Sequence, residues 1–262
     1  MNQLSRIERY SEELYRALRD RRAVAPLTER DPDLTIDEAY QISLGLLARR
    51  EAAGERVCGK KIGVTSRAVQ EMLNVGQPDF GFLTDRMRCA PGQPIPISRE
   101  LIAPRAEGEI AFVLKADLQG PGVTNVDVLR ATAGVAVSFE IVDSRVRDWK
   151  IKIQDTVADN ASCGLFMISD HLVDPRTVDL VTCGMVVWKN GELVATGAGA
   201  AALGSPVNCV TWLANTLGAY GVGLKAGDVI LSGSLVPLIP IVPGDRMELA
   251  VGGLGRLVAD FI

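Results

Sequence analysis

The chain has 262 residues, 47% hydrophobic and 23% charged, with a net charge of −4 and a pI near 5.2. That length suits one large domain, or one domain with a helical appendage, and an acidic balance without a Lys/Arg stripe argues against a nucleic-acid partner. No apolar run approaches the ~18 residues of a membrane helix, the N-terminus has no signal-peptide core, and the five cysteines are scattered without CxxC spacing, so reduced thiols in a cytoplasmic protein are expected.

The first predicted element is an amphipathic helix over 7–18, where Ile7, Tyr10, Leu14, Tyr15 and Leu18 share a face. Thr35 and Glu38 have capping-box spacing and open a second helix that stops at Gly54. A short third helix covers SRAVQEML from an N-cap at Ser66. After about residue 80 the pattern changes to short strands: EGEIAFVLK, GVAVSFEIVD, LVTCGMVVWKNGELVATG, DVILSG and RMELAVGGLGRLVADFI. Asn190-Gly191 predicts a tight hairpin. Helices are predicted after Thr124 and after Ser205-Pro206. The fold class is α+β: a helical N-terminal portion, residues 1–78, packed on a β-rich core, residues 79–262, as one structural unit.

Two strand-like runs carry acids where apolar residues belong. Glu107 and Glu109 lie in RAEGEIAF, and Glu140 in VSFEIV. Residues i and i+2 of a strand share a face, so the first two project together, about 7 Å apart at Cα. Buried ionised carboxylates are costly unless paired or bound to a cation. The pair alone suits a solvated edge strand as well as a cation site. Glu140, between Phe139 and Ile141 with no wet face in view, moves the balance toward a hard cation such as Mg²⁺ or Mn²⁺.

The blocks GKKIGVTS, QPDFGFLTD, RAEGEIAFVL, FEIVDSR, DTVADNAS and GSPVNCVTWLANTL closely resemble the 2-oxopent-4-enoate (2-hydroxypenta-2,4-dienoate) hydratases of the fumarylacetoacetate hydrolase superfamily. The similarity runs from PLTERD to the C-terminal VADFI. It implies a mixed β-roll core, one divalent ion on Glu107, Glu109 and Glu140, and no organic cofactor. The implied reaction is hydration of the dienoate to 4-hydroxy-2-oxopentanoate in meta-cleavage of aromatic compounds.

That chemistry needs charge stabilisation near the 2-oxygen and a base near C4. The resemblance assigns the first to Lys61, with Lys60 expected on the exposed side, and the second to Asp79. It also places Asp159, Asn160, Ser162, Ser232 and Ser234 along the substrate pocket. Arg105 and Arg145 are left between the acid cluster and the substrate. A homo-oligomer is expected, together with a possible complex with 4-oxalocrotonate decarboxylase.

The alternatives are a 4-oxalocrotonate decarboxylase, or a noncatalytic partner subunit of one. The decarboxylases generally lack an acid at the Asp79 place, having no water to activate. GAGAAALG, residues 197–204, matches a dinucleotide fingerprint, but Pro206 interrupts the helix it needs and no acid follows at the required distance. No GxSxG elbow is present. The lone histidine, His171, falls in an apparent surface loop, so a histidine-dependent carbon–carbon hydrolase is disfavoured.

Overall fold

A computed structural model describes residues 5–73 and 75–262. Helix α1 (Arg6–Asp20) begins with a reciprocal Ser5–Glu8 capping box, which satisfies orphan N–H groups of its first turn. Its buried stripe includes Tyr10, Leu14 and Ala17. After the one-turn α2 (Leu27–Arg30), α3 (Ile36–Ala52) opens on the expected Thr35–Glu38 box. The chain then turns at Gly54, whose φ of 92° suits glycine. Strand β1 (Val57–Gly63), helix α4 (Arg67–Leu73) and strand β2 (Asp79–Thr84) follow, with Ser66 Oγ accepting from Val69 N–H at the start of α4.

The remaining chain alternates strands with short helices. β3 (Arg88–Cys89) and α5 (Ile97–Glu100) lead into β4 (Arg105–Leu114), and α6 (Asn125–Ala131), capped by Thr124, leads into β5 (Thr132–Val142). Then come α7 (Ile153–Ala158), β6 (Cys163–Ile168), and the hairpin of β7 (Gly184–Lys189) and β8 (Glu192–Ala198). Asn190 and Gly191 turn that hairpin with φ of 54° and 85°. α8 (Pro206–Gly218), with Ser205 as N-cap, precedes β9 (Val229–Leu231), β10 (Ile239–Pro240), β11 (Arg246–Val251) and β12 (Gly255–Asp260).

These strands form two sheets. The larger is mixed and curled, in the order β2-β1-β9-β4-β5-β6-β3, with β10 pairing β4; the smaller runs β12-β11-β7-β8. With the helices, this is the α+β architecture that the sequence implies. The main core lies between the sheets and α8, and takes Ile110 and Phe112 from β4 and Val137, Phe139 and Ile141 from β5. Gly108 faces the same way, where a Cβ would stand 2.6 Å from Met185 Sδ. A separate apolar cluster joins α1, α3 and α7.

Strand alternation sends the other set of residues to the opposite face. The β4–β5 register pairs Glu107 with Glu140, Glu109 with Ser138 and Ala111 with Ala136. Farther along that face lies a small apolar cluster with Leu83, Ala111, Phe166 and Leu231. The site therefore sits where one face passes from apolar to acidic.

β1 falls inside the stretch expected to be helical. With two lysines and two glycines among seven residues, it carries little β-propensity of its own. It becomes a strand by pairing antiparallel with β2 and parallel with β9. Gly59 permits the close approach, since a Cβ there would lie 2.0 Å from Val229 O.

Candidate active site

Glu107, Glu109 and Glu140 each offer a carboxylate oxygen within 4.8 Å of the other two. Glu109 and Glu140 have no solvent exposure, and Glu107 is half-buried at the open side. Among the described residues, Glu109 Oε1 and both Glu140 oxygens have no hydrogen-bond partner. Burial, and next the charge of Glu140, push the Glu107 carboxyl up to about 8, against the opposing pull of Lys61. Burial drives Glu109 well above the usual carboxylate range, with Glu140 and Glu107 adding to it. Orphaned oxygens that repel one another across a strand pair fit a hard divalent cation, which takes oxygen ligands and offsets the shared charge.

Lys61 and Asp79 project from β1 and β2 onto the same face. Lys61 pairs in register with Gly81 and Gly63 with Asp79, so neither partner raises a side chain between the two. Lys61 Nζ stands 3.1 Å from Glu140 Oε1, a charge contact without the alignment of a hydrogen bond. Burial would favour loss of the Lys61 proton, but Glu140 and Asp79 outweigh it and hold the ammonium above its ordinary pKa. Asp79 is raised by burial, Lys61 opposing, and its Oδ1 has no hydrogen-bond partner among the described residues. A Cβ at Gly63 would lie 2.3 Å from that oxygen and 3.3 Å from Lys61 Nζ. Glycine leaves the space at position 63 into which both the acid and the ammonium project.

The loop after β9 braces the cluster. Gly233 N–H donates to Glu109 Oε2 at 2.8 Å, with φ at 99° and Thr65 packed where a Cβ would be. Ser232 Oγ donates to Ile110 O at 2.7 Å, and Ser234 Oγ donates to Val236 O at 2.6 Å. Both expected pocket serines thus bond to backbone and hold the loop that aims Gly233 at Glu109.

Asp159, Asn160 and Ser162 are buried together at the end of α7. Asp159 Oδ1 accepts from Arg145 Nε at 2.5 Å and its Oδ2 from Arg145 N–H at 2.9 Å. Burial still raises Asp159 to about 6, with Arg145 opposing. Asn160 bonds Phe82 through both ends of its amide, at 2.8 and 2.9 Å, and Ser162 Oγ lies 3.1 Å from Thr156 Oγ1. Asn160, Ala161 and Ser162 all have positive φ, between 51° and 53°, a strained run in residues other than glycine. The bonds these side chains make support β2 and the β5–β6 connection.

Arg145 therefore belongs to Asp159, while Arg105 lies over the Trp149 ring at 4.5 Å. Lys60, expected to be exposed, is buried: alternation does send it to the other face, but there it meets Asp228 at 2.5 Å. His171 is exposed, as expected. Three site neighbours escaped sequence reasoning. Ser138 faces Glu109 across the ladder, Cys163 is a buried thiol kept protonated by burial and the charge of Glu140, and Tyr40 stacks on Phe80 at 4.4 Å beside Asp79. Nothing in a lone serine, cysteine or helical tyrosine signals such a place; the register and the helix-on-sheet contact create it.

The model of the fumarylacetoacetate (FAA) hydrolase C-terminal region matches residues 52–262. The chain is 67% identical over 216 residues to a 2-hydroxypent-2,4-dienoate hydratase of Pseudomonas putida, covering 82% of this chain and 97% of the relative. It is 58% identical over 256 residues to a 2-hydroxyhexa-2,4-dienoate hydratase of Comamonas testosteroni, covering 97% of each. A 4-oxalocrotonate decarboxylase from Pseudomonas putida G7, solved in complex with magnesium and adipate, superposes with a TM-score of 0.94 at 36% identity, with both chains fully covered.

Proposed function

The chain belongs to the fumarylacetoacetate hydrolase family, and from that premise we propose that it hydrates 2-hydroxypenta-2,4-dienoate to 4-hydroxy-2-oxopentanoate in the breakdown of aromatic compounds. The observation that carries this reading is Asp79: a buried carboxylate with an oxygen left over, beside a buried lysine, on the face that bears three glutamates.

Glu107, Glu109 and Glu140 would hold one Mg²⁺ or Mn²⁺ ion. Bound there, the ion supplies a Lewis acid toward the substrate's carboxylate and 2-oxygen. The remaining work falls to the chain's own groups. Lys61, kept protonated by Glu140 and Asp79, stabilises negative charge on the 2-oxygen as the enol proton leaves and C5 gains one. C4 of the resulting 2-oxo-3-enoate is electrophilic. Asp79, made more basic by burial, orients a water at C4 and accepts its proton, and a proton delivered to C3 as the enolate returns to the ketone completes the addition. Asp159, Asn160, Ser162, Ser232 and Ser234 act in this reading by fixing the loops that line the site and any ordered water there.

The helical portion and the β-rich core work as one unit, since Lys61 and Asp79 arise where the two meet, and the five unpaired cysteines suit the cytoplasm as its compartment. Assembly as a homo-oligomer belongs to the same reading, and mass measurement at micromolar concentration tests it. A second reading, decarboxylation of 4-oxalocrotonate, is supported by the likeness to the decarboxylase structure. Against it stand the higher identities to hydratases and the acid at position 79. Purified protein incubated with 2-hydroxypenta-2,4-dienoate and Mg²⁺ or Mn²⁺ should yield 4-hydroxy-2-oxopentanoate. Release of CO₂ from the diacid without hydration of the monoacid would favour the second reading. Absence of both, with a stable complex formed with the decarboxylase, would leave a noncatalytic partner.

A further inference from the structure

A cavity of about 420 Å³ opens beyond Asp79, between α3, α7 and the turn before β2. Ile36, Tyr40, Val75, Pro78, Ile153 and Val157 form its walls, and Asp79 is in its lining. Gln77 adds a neutral amide, and no Lys, Arg or His lines it among the described residues. Tyr40 is held in place by its stack on Phe80, 12° from parallel, so one wall is a fixed aromatic surface.

We propose that this cavity receives the substrate's carbon tail beyond C4, and that it selects alkyl-substituted 2-hydroxy-2,4-dienoates over the corresponding dicarboxylates. The inference rests on the hydratase reading, which places the substrate's head at the glutamates and C4 at Asp79. Once those points are set, C5 and its substituents extend past Asp79, and the space there is apolar. Each methylene buried against such walls adds about fourfold to binding. A carboxylate in the same place meets the charge of Asp79 among walls that carry no cation of their own, which disfavours it by about 10²-fold or more.

The test compares kcat/KM of the metal-loaded enzyme for 2-hydroxypenta-2,4-dienoate, its 5-methyl and 5-propyl homologues, and the diacid bearing a carboxylate at C5. The expected order places both alkyl homologues at or above the parent and the diacid at least 10²-fold below. Ile36→Arg should raise the diacid relative to the 5-methyl compound by tenfold or more, and Ile36→Phe should lower the 5-propyl compound relative to the parent. Equal turnover of diacid and 5-methyl compound, or ratios unmoved by both variants, overturns the subsite. Failure of the wild-type enzyme on every monoacid overturns the hydratase reading itself, so the two failures are distinguishable.

Ser138 carries a second inference independently. Its side chain is fully buried, and its hydroxyl has no hydrogen-bond partner among the described residues. It stands opposite Glu109 and two residues before Glu140, so its hydroxyl shares the carboxylates' face. A buried, unpaired hydroxyl is destabilising, and alanine would fill the same space without that cost. We infer that Ser138 is a positioning residue for the cation, donating to an oxygen in the ion's ligand shell. Calorimetric titration of metal-free protein with Mg²⁺ and Mn²⁺ should show Ser138→Ala weakened by about tenfold or more. Thermal melts without metal should show the variant as stable as wild type, or more so. Unchanged metal affinity overturns the inference, as does weaker affinity accompanied by a lower metal-free melting temperature, which marks damage to the fold.

Discussion

The two faces of the β4–β5 ladder are made from alternate residues of the same strands, and they do opposite things. On one, Ile110, Phe112, Val137 and Phe139 enter the main core, each burial contributing to stability at about 1.5–3 kcal/mol. On the other, Glu107, Glu109 and Glu140 meet without enough partners, and burial raises the first two toward protonation. The difference teaches that folding energy and site chemistry are separable here residue by residue. A single register holds both, because a slip of one position would exchange the faces.

The largest expected effect comes from the acidic face. Glu109→Gln should abolish divalent-ion-dependent turnover, as chelation should in the wild-type protein, with Mg²⁺ or Mn²⁺ restoring only the latter. If the two faces are separable, the same variant will melt no lower than wild type in the absence of metal. A large loss of metal-free stability would break the comparison.

Asp79→Asn should keep metal affinity within a few-fold and lower turnover by about 10²–10⁴, the contribution of a positioned base. Deuterium incorporation at C5, which precedes water addition, should survive better than product formation. Equal loss of both would assign Asp79 to the tautomerisation instead. Phe112→Ala, on the apolar face, should reverse the pattern. It should cost about 3–5 kcal/mol in denaturant unfolding while leaving Mg²⁺ affinity as in wild type.

The smallest effect is in pH. Glu107 and Glu109 bind protons more tightly in the folded chain than in the unfolded one, Glu107 up to about 8. The Glu107 contribution is therefore fully present below the unfolded carboxylate range and is lost as pH rises through about 8, and Glu109 adds a loss in the same direction. Metal-free protein should melt at progressively lower temperature between pH 5 and 8, and saturating Mg²⁺ should flatten that slope. A metal-free slope of the opposite sign would show that the carboxylates are already paired.

The parts of the fold legible in the sequence are those set by local chemistry. The Thr35–Glu38 capping box, the helix after Thr124, the proline-led helix after Ser205, and the Asn190-Gly191 turn all appear where expected. β1, β2 and β6 were not legible: β1 is a strand by its pairing with β2 and β9 rather than by its composition, and the short apolar runs of β2 and β6 suit a buried helix segment as well as a strand. The three glutamates stood out since acids in apolar runs violate the pattern around them. Lys61 and Asp79 came only through family resemblance: nothing in a lysine pair, or in an aspartate after proline, reveals burial. The apolar cavity was invisible for a related reason, as its walls come from helices and a turn far apart in the chain.

Asn160 has a consequence of another kind. β2 is the last strand on its side of the large sheet, and at Phe82 both the outward N–H and the outward C=O are taken by the Asn160 side-chain amide. An open edge is a template for another chain to add a strand, the usual first step of intermolecular aggregation. One side chain imitates the missing neighbour, so the sheet is blocked from growing at that point, a few residues from Asp79.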